Sequence, residues 1–233
     1  MIQLDKKINT LFRILNVSGM LLLIVFAIGS TLAPPKPAIS NPDGIYTTII
    51  AFELAKTPLE IANIIGVGDT KIGKKIREGF RAVINLDFLL IILYSLFMYS
   101  LMSILYVRKR IVKFSYYIAV FFILLAAVSD VLENFTLIKI MDSTNYADLL
   151  SSLELFTYVK WEALSIIAIF FTTTFAAENL RLPMALFGLS FVAGIAGLFI
   201  RKIIELQTLF LGLSWAICWY KTLPTTKKPW LRD

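Results

Sequence analysis

Asp130, Glu133 and Asn134 stand at i, i+3 and i+4 inside an otherwise apolar run, so on a helix they share one face. Asp87 interrupts a second apolar run, and Lys160 with Glu162 opens a third. Ionisable groups in membrane-length apolar runs cost of order 2.5–3.5 kcal/mol each at a bilayer centre on insertion scales, so they usually face a bundle interior or a wet cavity. Crowded carboxylates in a low dielectric cannot all ionise; at least one must hold a proton or share a cation. Three chemistries fit such a set: binding of Na⁺ or another cation through oxygen ligands, carriage of a proton during coupled transport, or acid–base attack on a lipid or isoprenoid by one protonated and one ionised carboxyl. No motif marks a scissile bond, so whether the chain is an enzyme stays open at this point.

Composition closes most other classes. The 233 residues include no histidine and one cysteine, Cys218, which excludes a Ser-His-Asp triad, a Cys-His pair, His-ligated zinc or haem, an internal disulfide and a CxxC site. No cofactor and no metal centre is expected. Hydrophobic residues make up 58% and charged residues 17%, with a mean hydropathy of +0.78. A soluble domain is roughly 45–50% apolar with about 25% charge, so the expected fold is an all-α polytopic transmembrane bundle forming a single domain over residues 1–233. Its partner is then the lipid bilayer, with a cation, a small polar ligand or a lipid at the polar site. The excess of basic residues, 23 against 16 acidic, sits mainly at the ends of apolar runs. There it reports topology, and no nucleic acid is expected as a partner.

A span needs roughly 20 mostly apolar residues, and six runs qualify: about 14–33, 84–107, 114–137, 158–177, 183–200 and 203–220. The first follows Lys6, Lys7 and Arg13 like a signal peptide, but Pro34 directly follows the Ala33 cleavage position, so it reads as a retained span. Arg108, Lys109, Arg110 and Lys113 mark a cytoplasmic loop, and the basic C-terminal tail agrees with it. The expected localisation is a cell inner membrane with both termini cytoplasmic. The 138–157 segment reads as an acidic outer loop, and the turn from Glu178 to Leu182 as an inner one. Arg201 and Lys202 fall on the outside, in conflict with the charge rule. Gly188, Gly194 and Gly197 give the fifth span a small-residue face suited to close helix packing.

The outer loop, residues 34–83, is long enough for amphipathic helices of its own. One is expected from Ile45 to Lys56; a second starts at Thr57-Pro58-Leu59-Glu60, with Thr57 as N-cap and Glu60 closing a capping box, and ends at Gly66 and Gly68. Glu53, Lys56, Glu60 and Asn63, spaced 3, 4 and 3, form one polar stripe. A third stretch, Thr70–Val83, sets Ile72, Ile76, Phe80 and Val83 against Lys71, Lys74, Lys75, Arg77 and Arg81. It reads either as a helix on lipid head groups or as part of a lid over a site within the membrane, with Glu53 pointing in.

Helical rise turns sequence position into depth. Asp87 lies about 30 Å from the Val107 end of its span, Asp130 about 24 Å and Glu133 about 28 Å from Phe114, and Lys160 about 27 Å from Glu178. Three helices thus place charge at one level in the outer third of the bilayer, which Glu53 could approach from the loop. Tyr94 lies two turns from Asp87, and Trp161 could seal the rim beside Lys160. The plainer alternatives are that Asp87 and Lys160 are interfacial helix-end residues, that Glu162 snorkels outward, and that Asp130 or Glu133 pairs with Lys160 only to hold the fold.

Phe52-Glu53-Leu54-Ala55, Leu86-Asp87-Phe88, Asp130-Val131-Leu132-Glu133-Asn134 and Lys160-Trp161 resemble motifs of a group of uncharacterised bacterial integral membrane proteins, over roughly residues 45–175. The resemblance implies no activity. It does imply treating Glu53, Asp87, Asp130, Glu133, Asn134 and Lys160 as one ligand-binding set.

Overall fold

The computed structural model describes residues 2–34, 36–66, 70–143, 146–178 and 180–223, with side chains from residue 6 onward. Among them there is no strand, and eight α-helices follow one another: α1 (Ile2–Leu32), α2 (Thr48–Glu53), α3 (Pro58–Ile65), α4 (Lys71–Val107), α5 (Lys113–Asp142), α6 (Ala147–Ala177), α7 (Arg181–Gly197) and α8 (Ile204–Thr222). Single 3-10 turns at Pro42–Gly44 and Arg201–Ile203 flank α2 and link α7 to α8. Five helices, α1, α4, α5, α6 and the α8 segment, are long and apolar enough to cross a membrane; α7 is apolar but has 17 residues.

Chain order and packing order coincide. α1 packs on α4, α4 on α5, α5 on α6, α6 on α7 and α7 on α8, and α8 returns to α1 to close a ring. Two ends follow. The links after α4 and after α6 lie together at one, the terminal end, joined by Arg110 Nη1 to Glu178 Oε1 at 3.0 Å. The α1–α8 seam runs towards the same end, where Trp219 Nε1 donates to the Asn16 carbonyl at 3.0 Å and Thr222 Oγ1 to Asn16 Oδ1 at 3.1 Å. At the opposite, capped end, α2 packs on α5 and α6 while α3 packs on α4.

Small residues set the close approaches, as the fifth-run glycines suggested. A Cβ on Gly194 would lie 1.9 Å from Ser165 Oγ, and one on Gly197 2.5 Å from Ile204 Cγ1. Gln207, fully buried beside Gly194, donates to the Trp161 carbonyl and to Ser165 Oγ, both at 2.9 Å, tying α8 to α6. Only side chains of this size and polarity let three backbones meet there.

The helices are longer than hydropathy alone implies. The Thr70–Val83 stretch is not a separate helix: it is the first third of α4, capped by Thr70 Oγ1 accepting from Gly73 N at 3.1 Å. No breaker separates Val83 from Ile84, so a single helix of 37 residues and about 55 Å forms. Its buried face runs through Gly73, Phe80 and Ile84, and Ile72 is left 68% exposed. Likewise the expected 138–157 loop is mostly helix. Ile140 and Met141 extend α5, and α6 begins at Ala147 with Leu150 and Leu153 buried under a polar outer face. The helix expected from Ile45 to Lys56 is the shorter α2, since the chain turns at Leu54–Lys56. α3 starts as expected, with Thr57 Oγ1 accepting from Glu60 N at 3.2 Å and Pro58 in the first turn. The Glu60 carboxylate, however, accepts from Lys56 N at 2.7 Å, one residue before the cap. Gly66, at φ +81, ends α3 in a conformation that suits glycine; Gly68 lies outside the described residues.

Candidate functional site: a buried ammonium shared by carboxylates

α6 turns Lys160 into the bundle beneath α2, and three chain segments meet its ammonium. Lys160 Nζ is 3.1 Å from Glu53 Oε2 of α2, 3.3 Å from Asp130 Oδ1 of α5, and in direct contact with Glu133 Oε2 one turn further along α5. An ammonium has three N–H donors, and three carboxylates surround this one. Lys160, Asp130 and Glu133 are all buried, Glu133 completely. The Trp161 ring lies 4.9 Å from Nζ and covers another side of the cation.

Neutral donors meet several of the same carboxylates. Tyr94 Oη of α4 donates to Asp130 Oδ2 at 3.0 Å, and its ring stacks on Trp215 of α8. Thr157, one turn before Lys160, donates to Glu133 Oε1 at 2.5 Å and also reaches the Glu53 carbonyl at 3.1 Å. Asn134 Nδ2 donates to Asp87 Oδ2 at 2.7 Å, which joins α5 to α4. Asp87 lies near enough to Asp130 and Lys160 to interact with both charges. All six residues singled out from the sequence therefore fall in one region: Lys160, the three carboxylates around its ammonium, and the Asp87–Asn134 pair alongside. Glu162, two positions from Lys160, is half-buried and points to a different face, as i,i+2 neighbours on a helix must. The fourth carboxylate of the set is Glu53.

Thr157 escaped the sequence reading because an isolated threonine in an apolar helix carries no signal. Tyr94 was visible two turns from Asp87, yet its partner is Asp130.

The expected polar stripe of Glu53, Lys56, Glu60 and Asn63 does not exist as one face, because the chain turns between α2 and α3. Its members part company. Glu53 goes to Lys160, Lys56 Nζ to Glu154 Oε1 at 2.7 Å, and Glu60 to Arg201. Arg201 uses its whole fork: Nε to Asp43 Oδ2 at 2.7 Å, Nη1 to the Leu54 carbonyl at 2.8 Å and to Glu60 Oε2 at 3.1 Å, and Nη2 to Glu60 Oε1 at 3.0 Å and Asp43 Oδ2 at 2.7 Å. Glu205, at the start of α8, accepts from the Tyr46 and Thr47 amides at 3.1 and 2.6 Å. The helix carrying Glu53 is thus gripped before its start by α8, at its end by the α7–α8 link, and from below by Thr157.

Electrostatics divide the capped end in two. Burial pushes the Glu53 carboxyl above its ordinary value, and Lys160 pulls it back only in part. For Glu60, burial acts in the same direction, but the Arg201 hydrogen bonds, the Lys56 amide and the Arg201 charge outweigh it and hold the carboxyl below its ordinary value. The two carboxyls near α2 are thus shifted in opposite directions, Glu53 upward and Glu60 downward.

Fold and site together define an all-helical bundle with five helices of membrane-spanning length and apolarity and a set of buried ion pairs near one end. No family model, no curated protein and no solved structure matches the chain.

Proposed function

We propose that the chain is a polytopic inner-membrane protein, crossing six times with both termini cytoplasmic, and that the Glu53–Asp130–Glu133–Lys160 set with Asp87 and Asn134 is a protonatable ligand site serving ion- or proton-coupled transport. The observation that carries the reading is the ammonium shared by three carboxylates, one of which belongs to a short loop helix and not to a long one. One ammonium balances one carboxylate, and the rest must share protons or an added cation. Lys160 already occupies the centre, so a proton is the cation that the set takes up with least rearrangement. Protonation of Glu53 weakens its bond to Lys160 and loosens the seat of α2, which makes α2 a gate at the capped end. The apolar outward faces of α1 and α5, including Phe26, Phe121, Leu124 and Val128, support burial in hydrocarbon. Arg201, which conflicts with an outward-facing capped end as a bare charge, carries two acidic partners there. Membership of the bacterial membrane-protein group is proposed on the motif likeness alone.

A second reading has its own support: with every ammonium donor matched by a carboxylate, the cluster suits a purely structural counter-charge. Infrared difference spectroscopy on the protein in lipid nanodiscs separates the two. The gate reading expects a protonated-carboxyl band that grows as pH falls, disappears in Glu53→Gln, and is accompanied by faster thiol labelling of a cysteine replacing the buried Ala55. A band without any change in labelling, or no band at all, overturns it. Labelling of whole cells at Ser40→Cys and Ser143→Cys, but not at Lys109→Cys, is expected from the orientation, in a background lacking Cys218. The reverse pattern would place the capped end in the cytoplasm.

A further inference from the structure

The three carboxylates around Lys160 are not equivalent. Asp130 and Glu133 come from α5, a long helix packed on α6, and their side chains are 7% and 0% exposed. Glu53 comes from α2, a helix of six residues, and its side chain is 14% exposed. It is the carboxylate at the rim of the cluster, carried by the element most easily moved.

A neutral donor beside Glu53 is unused. Trp161 is 8% exposed, and its indole Nε1 is buried with no hydrogen-bond partner among the described residues. The indole lies close enough to Glu53 to bear on its carboxyl. Glu53 Oε2, however, is committed to Lys160 Nζ at 3.1 Å, and the tethered side chain closes no hydrogen bond to the indole. A buried N–H in that state costs free energy until an acceptor meets it. An ammonium N–H and an indole N–H thus converge on one seat, and the carboxylate that fills it satisfies only the first. From Cβ outward a glutamate side chain is a propionate, so the seat has the volume of propionate. A free acid of that size, not tied to a backbone, can turn to meet both donors.

We propose that the seat of Glu53 is the binding site of a short-chain monocarboxylate, held by Lys160 and the Trp161 indole N–H, and that Glu53 fills it as a tethered stand-in when the ligand is absent. The inference names a substrate class for the protonatable site proposed above and rests on that reading. The exchange leaves the charge around Lys160 as it was, because one carboxylate replaces another beside the same Asp130 and Glu133. The charged groups facing Glu53 are Lys160, Asp130, Glu133 and Asp87. A proton taken up by Glu53 weakens its hold on Lys160 and frees the seat, which the anion then fills. One proton and one monocarboxylate entering together add no net charge to a site where net charge is costly. A dicarboxylate would bring a second negative charge among Asp130, Glu133 and Asp87, so it is refused.

The test uses the purified full chain in maltoside micelles. Glu53→Ala empties the seat, and sodium propionate is expected to raise its unfolding midpoint saturably, since a ligand specific for the folded state stabilises that state. Propionamide, which has the shape without the charge, and sodium chloride, which has the charge without the shape, should give no saturable rise. Adding Trp161→Phe keeps a ring beside Lys160 but removes the N–H. The apparent propionate affinity should then fall about tenfold, as for loss of one hydrogen bond to a charged acceptor. A chain that keeps Glu53 supplies a reading independent of how well Glu53→Ala folds: propionate should speed thiol labelling of Ala55→Cys, in a background lacking Cys218, by displacing α2. The proposal is overturned if propionamide or chloride equals propionate, if propionate does not speed the labelling, or if Trp161→Phe leaves the affinity unchanged. An infrared band without propionate binding defeats this inference alone, whereas propionate binding without the band leaves the seat standing and defeats the proton gate.

Discussion

Replacing Lys160 by methionine is expected to destabilise the protein by about 3–5 kcal/mol, the usual loss when one partner of a buried ion pair is removed. Glu53, Asp130 and Glu133 would then face one another with no cation between them. The carboxylates can recover neutrality by taking up protons, so the loss should shrink as the medium is acidified. Glu133→Gln alone should also destabilise, because it removes the group in closest contact with the ammonium and one acceptor of Thr157. The double variant removes both faults. Its loss should fall short of the sum of the single losses by about 1–3 kcal/mol, as for directly coupled neighbours. Equilibrium unfolding of the four proteins in mixed micelles measures this coupling. Strictly additive losses would mean that Lys160 and Glu133 do not interact, contrary to the contact described.

Arg201→Gln is expected to act on the other side of α2. It removes the clamp on the Leu54 carbonyl and leaves Glu60 and Asp43 without their guanidinium. With a loss of about 2 kcal/mol for these charged hydrogen bonds, the amides of α2 should exchange with solvent roughly 30-fold faster, while those of α7 and α8 stay protected. Glu60→Gln should show a milder form of the same effect, with a pH signature. The pKa of Glu60 is lowered on folding, so its contribution is complete above the ordinary carboxyl value of 4.5 and disappears as pH falls through the lower folded value. The stability difference between the wild type and Glu60→Gln should therefore be constant near neutrality and vanish in acid. A difference that persisted at low pH would show that Glu60 acts through packing and not through its charge.

The apolar parts of the helices were legible in the sequence because hydropathy is a local property. Their true ends were not. Residues 71–83 of α4 and 147–157 of α6 are amphipathic, and an amphipathic helix on a span reads like a loop when only apolarity is scored. The polar set was legible to the extent that helical rise fixes depth: Asp87, Asp130, Glu133 and Lys160 lie on helices of regular pitch. Glu53 could be placed only as one of two alternatives, since its direction depends on where the chain turns after α2. The Arg201 clamp left no local trace. Its partners Asp43 and Glu60 are 158 and 141 residues away in the chain, and no periodicity spans such a gap. The charge rule therefore counted Arg201 as a bare cation when it is a paired one.

The ring order bears on how the molecule is made. Among the long helices each ring neighbour is also the next long helix in the chain, with one exception: the α1–α8 seam, which joins two helices far apart in the chain. The closing surfaces are shaped for each other. Gly19 admits the Trp219 indole where a Cβ would lie 2.4 Å from Cδ1, and Asn16 receives both Trp219 and Thr222. Until α8 has been synthesised the bundle is an open crescent, with the Gly19 notch on one edge and no indole to fill it. That edge of α1 stays uncovered until then, and seating of the Trp219 indole is the event that closes it.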